Sequence, residues 1–229
     1  MKVLPDSRGS RLRLGILVLI LVMVLVWTGA WMTLGWVRYR PVEGDVLFQS
    51  LPSPRGIDVV EAIEGSTECP FSHCGVVVKK GGKWYVLEAM VPTVQEIPLK
   101  NWIWRNRGKF VAYRLKSPFR KHIPAWIEEM RERMGLAYDY RYRMEDDAIY
   151  CSELPFDGWT SVTGESMGKV VTLGSLKWEE YRAVIEEVED IEPPEKLPLD
   201  REMITPRDLA KAPQLELVIE NGTSVNGRW

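Results

Sequence analysis

A cysteine attacks a carbonyl as its thiolate, so the chain must supply both a site that favours that charge and a base to manage the proton. Cys151 lies in Asp146-Asp147-Ala148-Ile149-Tyr150-Cys151-Ser152-Glu153-Leu154, where polar turn residues give way to a short helix. The free amides of a helix start favour a thiolate and can also hold the oxyanion of a tetrahedral intermediate. The chain has 2 histidines, so an imidazole base must be His73 or His122. His122 follows Arg120 and Lys121 and reads as a solvated loop residue. His73 opens Ser72-His73-Cys74-Gly75-Val76-Val77-Val78, a run of strand type, and Gly81-Gly82 offers a two-residue turn into a return strand, Lys83 to Met90. Pairs across that turn sum to 163, which sets Gly75 opposite Glu88 and His73 one step further along the same face. Diagonal neighbours of this kind lie about 7 Å apart at their α-carbons, within reach of a Glu side chain. Gly75 leaves room for the contact, and the second ring nitrogen of His73 is left to face a nucleophile. A register slip of one residue would send Glu88 to the other face. The expected site is therefore Cys151 as nucleophile, His73 as base and Glu88 as the group that orients the base, performing acyl transfer to water with no cofactor.

The same residue types admit other readings. A buried Cys by itself is a small hydrophobe, and a strand His can be a satisfied core residue. Cys69, His73, Cys74 and Cys151 are suitable zinc ligands, but adjacent His73 and Cys74 point to opposite faces of a strand, which argues against one shared ion. A Cys69–Cys74 disulfide is compatible with an oxidising compartment and leaves Cys151 free; with 3 cysteines at least one thiol is unpaired. Asp146 and Asp147 read as turn and cap residues. Tyr138, Tyr140, Tyr142 and Tyr150 either line a groove or cover the sheet, and their spacing does not decide which.

These groups have to be positioned by a folded domain. Pro41-Val42-Glu43-Gly44-Asp45 is a turn leading into a short strand at Val46-Leu47-Phe48. Phe110 to Leu115 reads as a further strand, and Ile123 to Met134 as a helix with Pro124 in its first turn. Trp178 to Val188 fits an acidic amphipathic helix, and Glu192-Pro193-Pro194-Glu195 an exposed break. Thr205-Pro206 is a helix start with Thr as N-cap, and Leu215 to Ile219 a last strand. No internal repeat is present.

A formal charge of -2 gives no basic surplus for a nucleic-acid partner and no acidic surplus for a disordered tail. Leu14 to Trp36 runs 23 residues without a charge, against the ~20 that span a bilayer as a helix. Trp27, Trp31 and Trp36 sit where interfacial aromatics belong. Lys2, Arg8, Arg11 and Arg13 precede the run against one Asp6, while Arg38 and Arg40 after it are followed by Glu43 and Asp45. The expectation is a cytoplasmic N-terminus (1–13), a transmembrane anchor (14–37) in the inner membrane and an extracytoplasmic domain (41–229). A cleaved secretory signal at Thr28-Gly29-Ala30 is the competing reading; the apolar run continues past that site to Trp36, which favours the anchor.

The order Gly44-Asp45, then Ser72-His73 before a valine strand, then Glu88, then Tyr150-Cys151-Ser152-Glu153-Leu154 resembles the YaeF/YiiX family of permuted papain-like amidases. In such proteins the His and the polar residue precede the Cys. The likeness covers Pro41 to Leu154 and extends faintly to Ile204-Thr205-Pro206-Arg207-Asp208-Leu209. It implies an α+β, permuted papain-like (NlpC-like) fold with a small antiparallel sheet packed by the Cys-bearing helix, and the roles already read for Cys151, His73 and Glu88. Pro155 departs from the pattern, since a proline is acceptable there only in the first helical turn. Wall-peptide amides are natural substrates for such a site outside the membrane. The likeness extends to lecithin:retinol acyltransferase relatives, which makes acyl-lipid amides, esters or thioesters equally natural. A non-catalytic domain that keeps the groove to bind peptide or lipid is the alternative of another class.

Overall fold

The computed structural model describes residues 15–24, 38–52, 58–144, 147–191 and 196–225. The chain divides into two compact units, Met1–Arg40 and Pro41–Trp229. In the first, residues 15–24 are helical and their apolar side chains are exposed. Leu14, residues 25–37 and the Thr28-Gly29-Ala30 site lie outside the described residues, as do Asp146 and the Glu192–Glu195 break. Among the described residues no helix is long and apolar enough to cross a membrane.

The second unit is built on an eight-stranded sheet ordered β10-β5-β1-β2-β3-β4-β6-β7. Its strands are β1 (Val46–Gln49), β2 (His73–Lys80), β3 (Lys83–Met90), β4 (Thr93–Pro98), β5 (Phe110–Leu115), β6 (Ala137–Tyr138), β7 (Ala148–Ile149) and β10 (Leu215–Asn221); β8 (Val171–Thr172) and β9 (Glu202–Met203) pair separately. The sheet is larger than the small one expected, and it is not wholly antiparallel, because β6 and β7 pair in parallel. These two-residue strands carry no periodicity from which they could be read.

β2 and β3 meet in the register that Gly81-Gly82 imposes, from Lys80 opposite Lys83 to Val76 opposite Leu87. Both glycines have positive φ, +56° and +76°, the conformation a tight hairpin turn needs. On one face of the sheet Phe48, Cys74, Val76, Leu87 and Val111 form the main core with Trp126, Met130, Leu154 and Trp159. The latter come from α3 (Ile123–Arg131) and α4 (Glu153–Thr163), which follow α1 (Val59–Ser66) and α2 (Leu99–Arg105) in the chain. α3 is shorter than the sequence suggests and ends before Met134. On the other face lie His73, Glu88 and α2, whose Leu99 and Trp102 are buried. With both faces covered, β2 is buried from His73 to Val78, which accounts for its unbroken apolar run.

The Trp178–Val188 region forms a short 3-10 turn, Glu179–Tyr181, followed by α5 (Arg182–Glu189). α6 (Pro206–Ala210) begins as expected, with the Thr205 side chain accepting from the Asp208 amide at 3.1 Å. Pro155 falls in the first turn of α4, where it displaces no helical hydrogen bond.

Gly75 lies close against β3. A Cβ there would stand 2.5 Å from Val86 Cγ1 and 3.2 Å from both Glu88 Cβ and the Leu87 carbonyl. Gly75→Val is expected to lower stability by roughly 1–3 kcal/mol, the usual cost of overpacking a core, and to move Glu88. Denaturant melts check the first effect. A variant as stable as the parent would contradict this packing.

Candidate active site

The structure brings Cys151, His73 and Glu88 together at the start of β2. The β2–β3 ladder ends at Val76, so His73 to Gly75 are released from β3, and the Tyr150–Cys151 turn packs against this freed end. The Cys151 thiol lies 3.9 Å from the Ser72 carbonyl, and the Cys74 thiol donates to the Cys151 carbonyl at 3.2 Å. Two residues after Cys151, α4 begins at Glu153, whose carboxylate accepts the Tyr150 amide at 3.1 Å. The segment ahead of α6 holds this helix start from the other side: Ser152 Oγ donates to the Ile204 carbonyl at 2.7 Å, and the Ile204 amide donates to the Tyr150 hydroxyl at 2.9 Å. This is the physical content of the faint tail resemblance around Ile204.

His73 Nε2 contacts Glu88 Oε2 at 2.7 Å, both side chains fully buried. The other ring nitrogen, Nδ1, makes no hydrogen bond, and the Cys151 thiol is its electrostatic neighbour. Glu88 also accepts from Trp102 Nε1 at 2.8 Å, from Arg105 Nη1 and Nη2 at 2.8 and 2.7 Å, and from Gln95 Nε2 at 3.1 Å. Burial works to raise the carboxyl's pKa, but Arg105 and His73 override it and bring it down to about 2. For His73, burial opposes the charged ring, while Cys151 and Glu88 favour it and raise its pKa to about 9. The Cys74 thiol and the imidazole hold the Cys151 pKa well below the ordinary thiol range against the opposing effect of burial. Both shifts favour an imidazolium facing a thiolate.

Trp102, Arg105 and Gln95 escaped the sequence reading because β4 and α2 were not foreseen. Cys69 and Cys74 form no disulfide; all three cysteines are free and buried. His122 is not a solvated loop residue, since its ring packs edge-on against Trp159 with centroids 5.7 Å apart. Tyr142 and Tyr150 line a pocket beside Cys151, whereas Tyr138 stacks edge-on with the exposed Tyr140. Gly44-Asp45 is structural: Asp45 pairs with Arg114 at 2.6 and 2.9 Å, before the end of β1 remote from the site.

A family model described as permuted papain-like amidase enzyme, YaeF/YiiX, C92 family, matches residues 40–219. The chain belongs to this family. Its fold is accordingly α+β and papain-like, and it is a cysteine hydrolase of the amidase and peptidase kind. Among curated YaeF/YiiX relatives it is similar to the uncharacterized protein YiiX of Escherichia coli (strain K12), 29% identical over 184 residues that make up 79% of this chain and 87% of the relative. It is also similar to the crystal structure described as metalloprotein yiiX from Escherichia coli O157:H7, DUF1105, with a TM-score of 0.70 and 28% identity over 80% of this chain and 98% of that one.

Arg105 is the group whose removal should expose how Glu88 is held. A buried carboxylate stripped of its guanidinium partner typically costs ~3–5 kcal/mol, and Arg105→Leu is expected to lose stability in that range at neutral pH. A carboxyl depressed to about 2 stabilises the fold above the unfolded value of ~4.3 and loses that effect as pH falls through about 2. The variant should therefore unfold at higher pH than the parent in an acid titration followed by circular dichroism. Coincident acid transitions would show that Arg105 does not hold the charge.

Proposed function

We propose that this hydrolase cleaves an amide, ester or thioester whose acyl part is apolar, with Cys151 as nucleophile, His73 as the proton carrier and Glu88 as the group that orients the imidazole. The observation that carries the substrate choice is the pocket beside Cys151. It is walled by Val59, Ala62 and Ile63 of α1, Val184, Ile185 and Val188 of α5, and Leu173, Leu176, Met203 and Ile204. Glu189 and Arg201, the charged residues of this wall, pair with each other. Such a wall favours hydrocarbon at roughly 0.8 kcal/mol per buried methylene and offers little to the polar backbone of a wall peptide.

In the forward step the Cys151 thiolate adds to the carbonyl carbon. His73 passes its proton to the leaving amine or alcohol as the carbon–heteroatom bond breaks. Glu88, ionised throughout, fixes the ring so that Nδ1 serves the sulfur side. Water then releases the acyl group. The relative described as a metalloprotein raises the question of an ion here. Among the described residues no group of three or more His, Cys, Asp or Glu is arranged to hold one, and His73 Nε2 is already engaged by Glu88. This donor set does not fit a metal.

The uncharged stretch from Leu14 to Trp36 supports a membrane anchor, with the basic N-terminus cytoplasmic and the domain from Pro41 outside. A tether of this kind would hold an acyl-selective site near lipid substrates.

A comparison of 4-nitrophenyl acetate with the octanoate tests the reading. The octanoate is expected to show kcat/KM higher by on the order of 10³-fold, and Ile185→Asp should abolish that preference while Cys151 still alkylates at the parent rate. Equal kcat/KM for the two esters would contradict an acyl pocket.

A further inference from the structure

Among the described residues, Gln49 is the one whose two side-chain polar atoms are both buried without a partner. It ends β1, is fully buried and is the direct cross-strand partner of His73. Directly opposed residues share a face of the sheet, with Cβ atoms about 4.5–5.5 Å apart. His73 Nδ1, on that face, is also buried without a hydrogen bond. The main chains are fastened around the pair, since the Ser72 amide donates to the Gln49 carbonyl at 3.1 Å, and the Leu51 amide to Ser72 Oγ at 2.9 Å. The Gln49 amide is therefore held opposite His73 with its hydrogen-bonding capacity unspent, and of the imidazole only Nδ1 is without a hydrogen bond. A buried amide left unpaired costs about 1–3 kcal/mol, and such groups are otherwise rare in folded cores. Glu88, on the same face, shows the contrast: it accepts from four side chains.

We infer that Gln49 and His73 together hold the water that hydrolyses the Cys151 acyl-enzyme, so that Gln49 directs the site to hydrolysis over transfer to a larger acceptor. The inference rests on the acyl-enzyme reading above. The Gln49 amide nitrogen donates to the water oxygen, its carbonyl oxygen accepts one water hydrogen, and neutral Nδ1 accepts the other. That is about three bonds, the usual number for a buried water. On attack, a bond forms between the water oxygen and the acyl carbon, and the water's proton passes to Nδ1. The carbon–sulfur bond breaks with its electron pair going to Cys151. The products are a carboxylic acid and the thiolate–imidazolium pair, which is the resting site.

The test uses the full chain, 4-nitrophenyl octanoate as probe, and the variants Gln49→Met and Gln49→Ala. Gln49→Met should release one nitrophenol per site in a rapid burst and then turn over roughly 10²-fold more slowly than the parent, the scale of loss for a misplaced reactant. Its intact mass should carry an octanoyl group on Cys151, and hydroxylamine, which needs no holding site, should restore turnover. Thermal stability should not fall, because Met replaces an unpaired buried amide with an apolar chain of like size. Gln49→Ala gives the same kinetic reading should Met prove too bulky to fold. Deacylation at the parent rate in both variants overturns the inference, as does an equal loss of burst and steady state, which would put Gln49 in the acylation step. If the parent protein itself neither turns over nor gains the adduct, it is the acyl-enzyme reading that fails, and the inference with it.

Discussion

A carboxylate enclosed on every side by protein is stable only if its neighbours replace the water it has lost, and the rest of this site follows from how Glu88 meets that demand. Arg105 covers one edge with both terminal nitrogens, Trp102 and Gln95 donate to what remains, and the last contact goes to His73 Nε2. Because Arg105 alone would nearly neutralise the charge, the imidazole is needed less for charge balance than for geometry. It is pinned by one nitrogen and turned so that the other serves the sulfur. The proton inventory follows from the same contacts: Cys151 and the ionised Glu88 favour a charged imidazole, and Cys74 together with that imidazole favours an ionised Cys151.

The sheet delivers these groups through a local failure of pairing. β3 stays paired with β4 up to Met90 while β2 pairs with β3 only from Val76 onward, so His73 and Glu88 meet through their side chains beyond the end of the ladder. The turn carrying Cys151 sits at that gap, held by Cys74 on one side and by Ile204 on the other. An ideal hairpin would have buried His73 against β3 and left no approach for sulfur.

The histidine–carboxylate contact was legible because a Gly-Gly turn admits one register, and that register fixes which residues share a face. The helix start at Cys151 and the Thr205 cap were legible for the same reason, since each is a local rule with a short reach. The remainder was not local. β4 follows Val91-Pro92 and ends in Pro98, so neither its length nor its alternation stands out, and with it went α2, Trp102 and Arg105. The apolar pocket draws its walls from α1 and, more than a hundred residues later in the chain, from α5 and the strand before Ile204, segments that no periodicity connects. Gln49 is a single polar residue after the apolar run Val46-Leu47-Phe48 and carries no signal in the sequence. Only the finding that its amide has no partner, directly across from His73, distinguishes it from an ordinary edge residue.

The thiolate–imidazolium pair is the centre of this account, and the rate of Cys151 alkylation by iodoacetamide against pH addresses it most directly. Reading the label by peptide mass leaves Cys69 and Cys74 native. The account predicts a rate that stays high well below the free-thiol value of ~8.5, and a His73→Ala variant whose rate returns to an ordinary thiol titration. A parent protein whose alkylation rises as a single step near ~8.5, unchanged by that substitution, would contradict it.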